Sequence, residues 1–192
     1  MNISDTLKGE SVSNSEPRPK TDYVHLYLAF ARNKDGVDKI ACRRKVIVDA
    51  ETDFRIFEAE LKALGGTWRI HRTVNKRDVQ KARIWMLHKL IDNPEYASCI
   101  DSIWRTALLQ PHCKATEYFL LDIDTTNMEE LDRAESLIPK HHLIHIFVTP
   151  EGYHHITAPF DTREICKLPY VTLNRDGYYF MKKIGDSVEK DI

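Results

Sequence analysis

From Tyr23 onward, apolar residues come in short bursts, each closed by turn-forming residues, and the period of the pattern changes from one burst to the next. "YVHLYLAFAR" (23–32) and "DKIACRRKVIV" (38–48) read as two strands, and the "NKDG" between them carries the Asp35-Gly36 pair of a tight hairpin. In "TDFRIFEAELKALGG", Phe54, Phe57, Leu61 and Leu64 recur at steps of three and four. That spacing predicts a helix with Thr52 as N-cap and Gly65 as C-cap. "TWRIHRT" (67–73) predicts a short strand, and "VNKRD" a polar loop ending on Asp78, the N-cap of a helix over "VQKARIWMLHKLID" that Asn93-Pro94 stops. A further helix, with Ile100, Ile103, Trp104, Ala107 and Leu108 on one face, runs to Pro111.

The second half alternates again: strand 117–124, helix 127–138, strands 143–148 and 153–158, a short helix near 162–168, then a hairpin about Asp176-Gly177. Strands and helices mixed in this order predict a single α+β domain with a central, largely antiparallel sheet flanked by helices. Residues 1–21, rich in Ser and Pro and poor in apolar groups, read as a flexible arm; the domain spans 22–185, and 186–192 form a tail.

Composition narrows the picture only slightly. The chain has 192 residues, 42% hydrophobic and 30% charged, which suffices for one domain with a real core. A net charge of -1 argues neither for a strongly basic nucleic-acid protein nor for an acidic tail, and leaves room for a local basic patch. Cys42, Cys99, Cys113 and Cys166 lie far apart, without the paired spacing of a zinc ribbon, so reduced thiols and a cytoplasmic location are expected. No apolar run approaches a membrane span.

The chemistry lies in "YFLLDIDTTN" (118–127) and "TPEGYHHITAPFD" (149–161). Strand alternation puts Leu120, Asp122 and Asp124 on one face and Phe119, Leu121 and Ile123 on the other. The two carboxylates then sit roughly 7 Å apart, a spacing that suits a Mg²⁺ or Mn²⁺ ion held between them or bridged to phosphates. Capping of the helix at 127 by Thr126-x-x-Glu129 or Asn127-x-x-Glu130 accounts for Asp124 but leaves Asp122 unexplained. The tight turn Pro150-Glu151-Gly152 returns a strand carrying His154 and His155 beside the acids.

"FLLDID", a helix, a strand and "TPEGYH" together resemble the core of the archaeo-eukaryotic primase superfamily, which includes primase-polymerases and the polymerase domains of bacterial end-joining ligases. The match spans 117–161. It implies a primase-like, RRM-like core; Asp122 and Asp124 as the metal-binding pair; and His154 as a contact to nucleotide phosphate. It also implies Mg²⁺ or Mn²⁺ as cofactor, a nucleoside triphosphate and a DNA or RNA strand as partners, and nucleotidyl transfer as the activity. The third acid of such a site is assigned to Asp176, with Asp161 competing.

Thr149 joins the expected nucleotide contacts. The basic stretch "RIHRTVNKRDVQKAR" adds Arg72, Lys76 and Arg77, while Lys81 and Arg83 read as a solvated helix start. Two alternatives remain. His71-x-Thr73 and His155-x-Thr157 resemble the paired triplets of two-histidine phosphoesterases, which act on cyclic phosphates and RNA ends without metal. A catalytically degenerate nucleotide-binding module is the other.

Overall fold

The computed structural model describes residues 23–31, 41–47 and 51–185. The arm at 1–21, the "NKDG" turn and the tail lie outside them. Strand alternation in the first burst is realised by β1 (Tyr23–Ala31), which pairs antiparallel with β2 (Ala41–Ile47) on one side and β3 (Trp68–Thr73) on the other. β9 (Tyr178–Ile184) extends this sheet beyond β3, and the two-residue β4 (Arg77–Asp78) pairs with the start of β1. A second sheet runs in the order β6 (Leu143–Val148), β7 (Tyr153–Thr157), β5 (Phe119–Ile123) and β8 (Val171–Asn174). Every pairing in both sheets is antiparallel.

The α+β class and the antiparallel strands agree with the sequence reading, but the strands divide between two sheets. The expected hairpin about Asp176-Gly177 is the place where they divide: β8 pairs with β5 and β9 with β3, so this turn carries the chain from one sheet to the other. A turn signal states that the chain reverses, not which strand the next one meets.

Each helix buries part of its apolar stripe, while Leu64 and Ile100, expected on the packed faces, are exposed. α1 (Thr52–Ala63) packs Phe57 and Leu61 against Tyr27, Ala29, Trp68 and Ile70 on one face of the first sheet. Its N-cap is Glu51, one residue ahead of Thr52, and Gly65 follows the C-cap Leu64 with φ 68°. α2 (Val79–Asp92) starts where Asp78 accepts from the Gln80 and Lys81 N–H groups, and with α3 (Ile100–Leu108) it covers Val24 and Leu26 on the other face. α4 (Met128–Ser136) lays Leu131 and Ala134 on Leu121 and Ile123 of the second sheet. The short helix expected near 162–168 is a single 3-10 turn, Ile165–Lys167.

Val74, Leu120, Ile156 and Tyr179 form a shared core between the sheets, with Phe147 and Met181 packed against it. Burying side chains of this kind contributes about 1.5–3 kcal/mol each. Among the described residues no helix is long and apolar enough to cross a membrane.

Candidate functional site

β5 has two faces with opposite tasks. Leu121 and Ile123 are fully buried under α4, so the intervening residues must point the other way, toward the first sheet. Leu120 fills the inter-sheet core there, and Asp122 and Asp124 continue the row beyond it into a pocket. Helix capping does not account for either acid. The N-cap of α4 is Asn127, whose side chain accepts from the Glu129 N–H, and Thr125 donates to Glu130 at 2.5 Å.

The turn after β6 closes on itself, the Thr149 N–H donating to the Gly152 carbonyl at 2.8 Å. It lies so near the end of β5 that a Cβ on Gly152 would stand 2.0 Å from the Ile123 carbonyl oxygen. Only glycine permits that approach. β7 then pairs Asp122 with His154 and Leu121 with His155. His154 Nε2 lies 3.2 Å from Asp122 Oδ1, while its Nδ1 accepts the Phe180 N–H at 3.0 Å. With Nδ1 an acceptor, the ring hydrogen sits on Nε2, the nitrogen nearer the carboxylate, without making an aligned hydrogen bond to it.

Desolvation, then the neighbouring carboxylates of Asp122 and Glu151, push the Asp124 carboxyl above its ordinary range, against a lowering by His154. Asp124 is exposed as a whole, so the like charges are the part of this shift that a bound cation relieves. Hard carboxylate oxygens suit Mg²⁺ or Mn²⁺. Among the described residues no group of three or more His, Cys, Asp and Glu side chains is gathered to enclose a metal. A cation held by Asp122 and Asp124 would take its other ligands from water or phosphate oxygens.

The opposite wall comes from the first sheet: Phe30 of β1, Arg69 and His71 of β3, and Phe180 of β9. The turn contributes Thr149 and Glu151. Of the residues expected from sequence, Asp122, Asp124, His154 and Thr149 thus meet in one pocket.

The others go elsewhere. Asp176 is held by Arg77, which is 1% exposed and donates two hydrogen bonds to it at 2.6 and 3.0 Å. Asn75 also reaches Asp176, at 3.4 Å. The assignment of Asp176 to the metal and of Arg77 to the nucleotide is therefore corrected: the two neutralise each other in a structural pair. The competing Asp161 pairs with Arg163.

Arg72 lies over the Tyr179 ring at 5.2 Å, and Lys76 leaves β3 beyond the pocket. Neither lines the pocket, and the charges of Arg72, Lys76 and Arg77 bear instead on His25. Alternation along "TWRIHRT" carries the signal that separates them, since Arg69 and His71 share a face and Arg72 has the other.

His155 is fully buried, with Nε2 2.8 Å from Glu135 Oε1 of α4, on the face of the second sheet away from the pocket. His71 lies in the pocket. The two triplets therefore do not converge, and the paired-histidine expectation is corrected by strand parity. Comparison of the chain with protein-family models, curated proteins and solved structures finds no match.

Proposed function

We propose that this pocket is a divalent-cation-dependent nucleotide site and that the chain handles nucleic acid by nucleotidyl transfer, in the manner of a primase-polymerase core. The observation that carries the reading is the convergence of Asp122, Asp124 and His154 on one face, from segments that the sequence keeps apart. Like-charged carboxylates kept side by side are unfavourable unless a cation joins them.

Mg²⁺ or Mn²⁺ bound there supplies charge neutralisation between an attacking hydroxyl and the α-phosphate. Asp122 and Asp124 hold the cation. His154, fixed by the Phe180 N–H, holds its Nε2 beside the acids, where its hydrogen is uncommitted and can go to a phosphate oxygen. Arg69 replaces Arg72 and Lys76 as the cation facing the phosphates, and the Thr149 hydroxyl lies at the pocket edge. The hydroxyl oxygen bonds to phosphorus, pyrophosphate departs, and the hydroxyl proton passes to solvent.

The test is thermal. Mn²⁺ together with a non-hydrolysable nucleoside triphosphate at about 100 times its Kd stabilises the folded state by about 2.7 kcal/mol, a rise of roughly 5–10 °C in a chain of this size. Asp122→Asn abolishes the rise. An equal rise in wild type and variant contradicts the cation site. Loss of the rise in the variant, with no nucleotide incorporated by wild type on a primed template, assigns the chain to the catalytically degenerate class.

A further inference from the structure

α2 is apolar on two opposite sides. Val79 and Ala82 are buried, and Trp85 and Met86 pack with them in the core under the helix that holds Val24, Leu26 and the buried residues of α3. Ile84, Leu87 and Ile91, spaced by three and four, share the other side and stand 57%, 54% and 74% exposed. Past the C-cap Asn93 the chain stays exposed: Tyr96, in the 3-10 turn Pro94–Cys99, at 36% and Ile100, the first residue of α3, at 47%. α2, this turn and α3 all lie within the described residues.

A helix with a single partner turns polar residues outward, and one that is apolar all round is a buried helix. Isolated exposed apolar side chains are ordinary, whereas an aligned group of them marks a contact. These five side chains expose on the order of 500 Å² per chain, so two copies face to face bury on the order of 1,000 Å², enough for a specific interface.

The helix is complementary to itself. Ile84 and Ile91 are placed evenly about Leu87 and His88, and Lys81 and Asp92, both exposed, lie about three turns apart on the same flank of the stripe. A second α2 laid antiparallel across the first sets Ile84 against Ile91 and Leu87 near Leu87, and it brings Lys81 of each copy beside Asp92 of the other. A parallel pair sets Lys81 against Lys81 instead. Within its own chain Lys81 meets Asp78 at the limit of an ion pair, 4.0 Å.

We propose that this side of α2 is a self-association surface: two copies of the chain pair through Ile84, Leu87 and Ile91 in an antiparallel two-fold contact, closed at its ends by Lys81 and Asp92. Contacts in which the same patch serves both copies are the commonest closed assembly. The residues that line the acid pocket come from other elements, so this contact stands or falls apart from the cation site.

Sedimentation equilibrium at about 1–100 µM protein reads the association, because a small interface of this kind corresponds to a micromolar dissociation constant. Wild type moves from the mass of one chain toward the mass of two as concentration rises. Leu87→Glu holds the protein at the mass of one chain and leaves its thermal transition and its response to Mn²⁺ as in wild type, since the side chain is exposed. Lys81→Glu and Asp92→Lys each weaken association about fivefold, and the doubly substituted protein recovers most of it, because the reversed charges meet again across the two-fold. Wild type at the mass of one chain throughout overturns the proposal and leaves the stripe to a different protein. Association that survives Leu87→Glu also overturns it, and association that the doubly reversed protein does not recover contradicts the antiparallel pairing.

Discussion

Two adjacent histidines of one strand have opposite environments, and parity alone decides which. His154 faces the acids and accepts from the Phe180 N–H; His155 is fully buried against Glu135. His154→Ala is expected to weaken Mn²⁺-dependent nucleotide binding about 10- to 100-fold, because a hydrogen bond to a charged group contributes about 1.5–3 kcal/mol. It should also cost about 1–3 kcal/mol of stability, because the Phe180 N–H loses its acceptor. His155→Ala should lower stability by about 2–5 kcal/mol through the cavity left by its fully buried ring while sparing nucleotide affinity. Calorimetric titration beside thermal unfolding of both variants checks this; loss of affinity in His155→Ala with His154→Ala silent would mean that the two histidines face the opposite way.

At the scale of elements, the acid strand and the glycine turn were legible because their signals are local. An apolar strand that ends in Asp-x-Asp has one face committed to the core, so its acids must share the other, and Gly152 marks the turn that folds over the Ile123 carbonyl. The fate of the basic loop was not legible. Arg77 and Asp176 are far apart in the chain and meet only because β4 and the turn before β9 flank the same end of the first sheet. No spacing rule announces such a pair. Its role is structural, so Asp176→Ala, which leaves the buried Arg77 guanidinium without its partner, is expected to cost about 3–5 kcal/mol in denaturant unfolding. The Mn²⁺-dependent stabilisation, measured below the lowered transition, should persist. A stable Asp176→Ala protein that no longer responds to Mn²⁺ would return Asp176 to the metal.

For the whole molecule, the class and most elements follow from periodicity, whereas the division into two sheets does not, because pairing partners are set by the shared core of Val74, Leu120, Ile156 and Tyr179. That division puts the pocket at the junction, with acids from one sheet and aromatics and Arg69 from the other. It also gathers the charges of Arg72, Lys76 and Arg77 around His25, whose pKa is pushed down to about 4 from 6.5, chiefly by burial and next by Arg72. The unfolded chain takes up a proton near pH 6.5 that the folded chain refuses until about pH 4. This contribution to stability is therefore fully present above pH 6.5 and is lost as pH falls toward 4, on the order of 2–3 kcal/mol in all. Unfolding free energies across that range should fall with pH in wild type and fall less steeply in His25→Gln. Equal slopes would show that His25 does not carry the effect.

In the proposed site Asp122 and Asp124 act together on one cation, and electron paramagnetic resonance of Mn²⁺ reads that directly. Titrating Mn²⁺ into wild type with a non-hydrolysable nucleoside triphosphate should remove the free-ion signal well beyond what the nucleotide alone removes. The Asp122→Asn/Asp124→Asn protein should leave the signal as nucleotide alone does. The same Mn²⁺ uptake by wild type and by the doubly substituted protein would contradict a cation held by this pair.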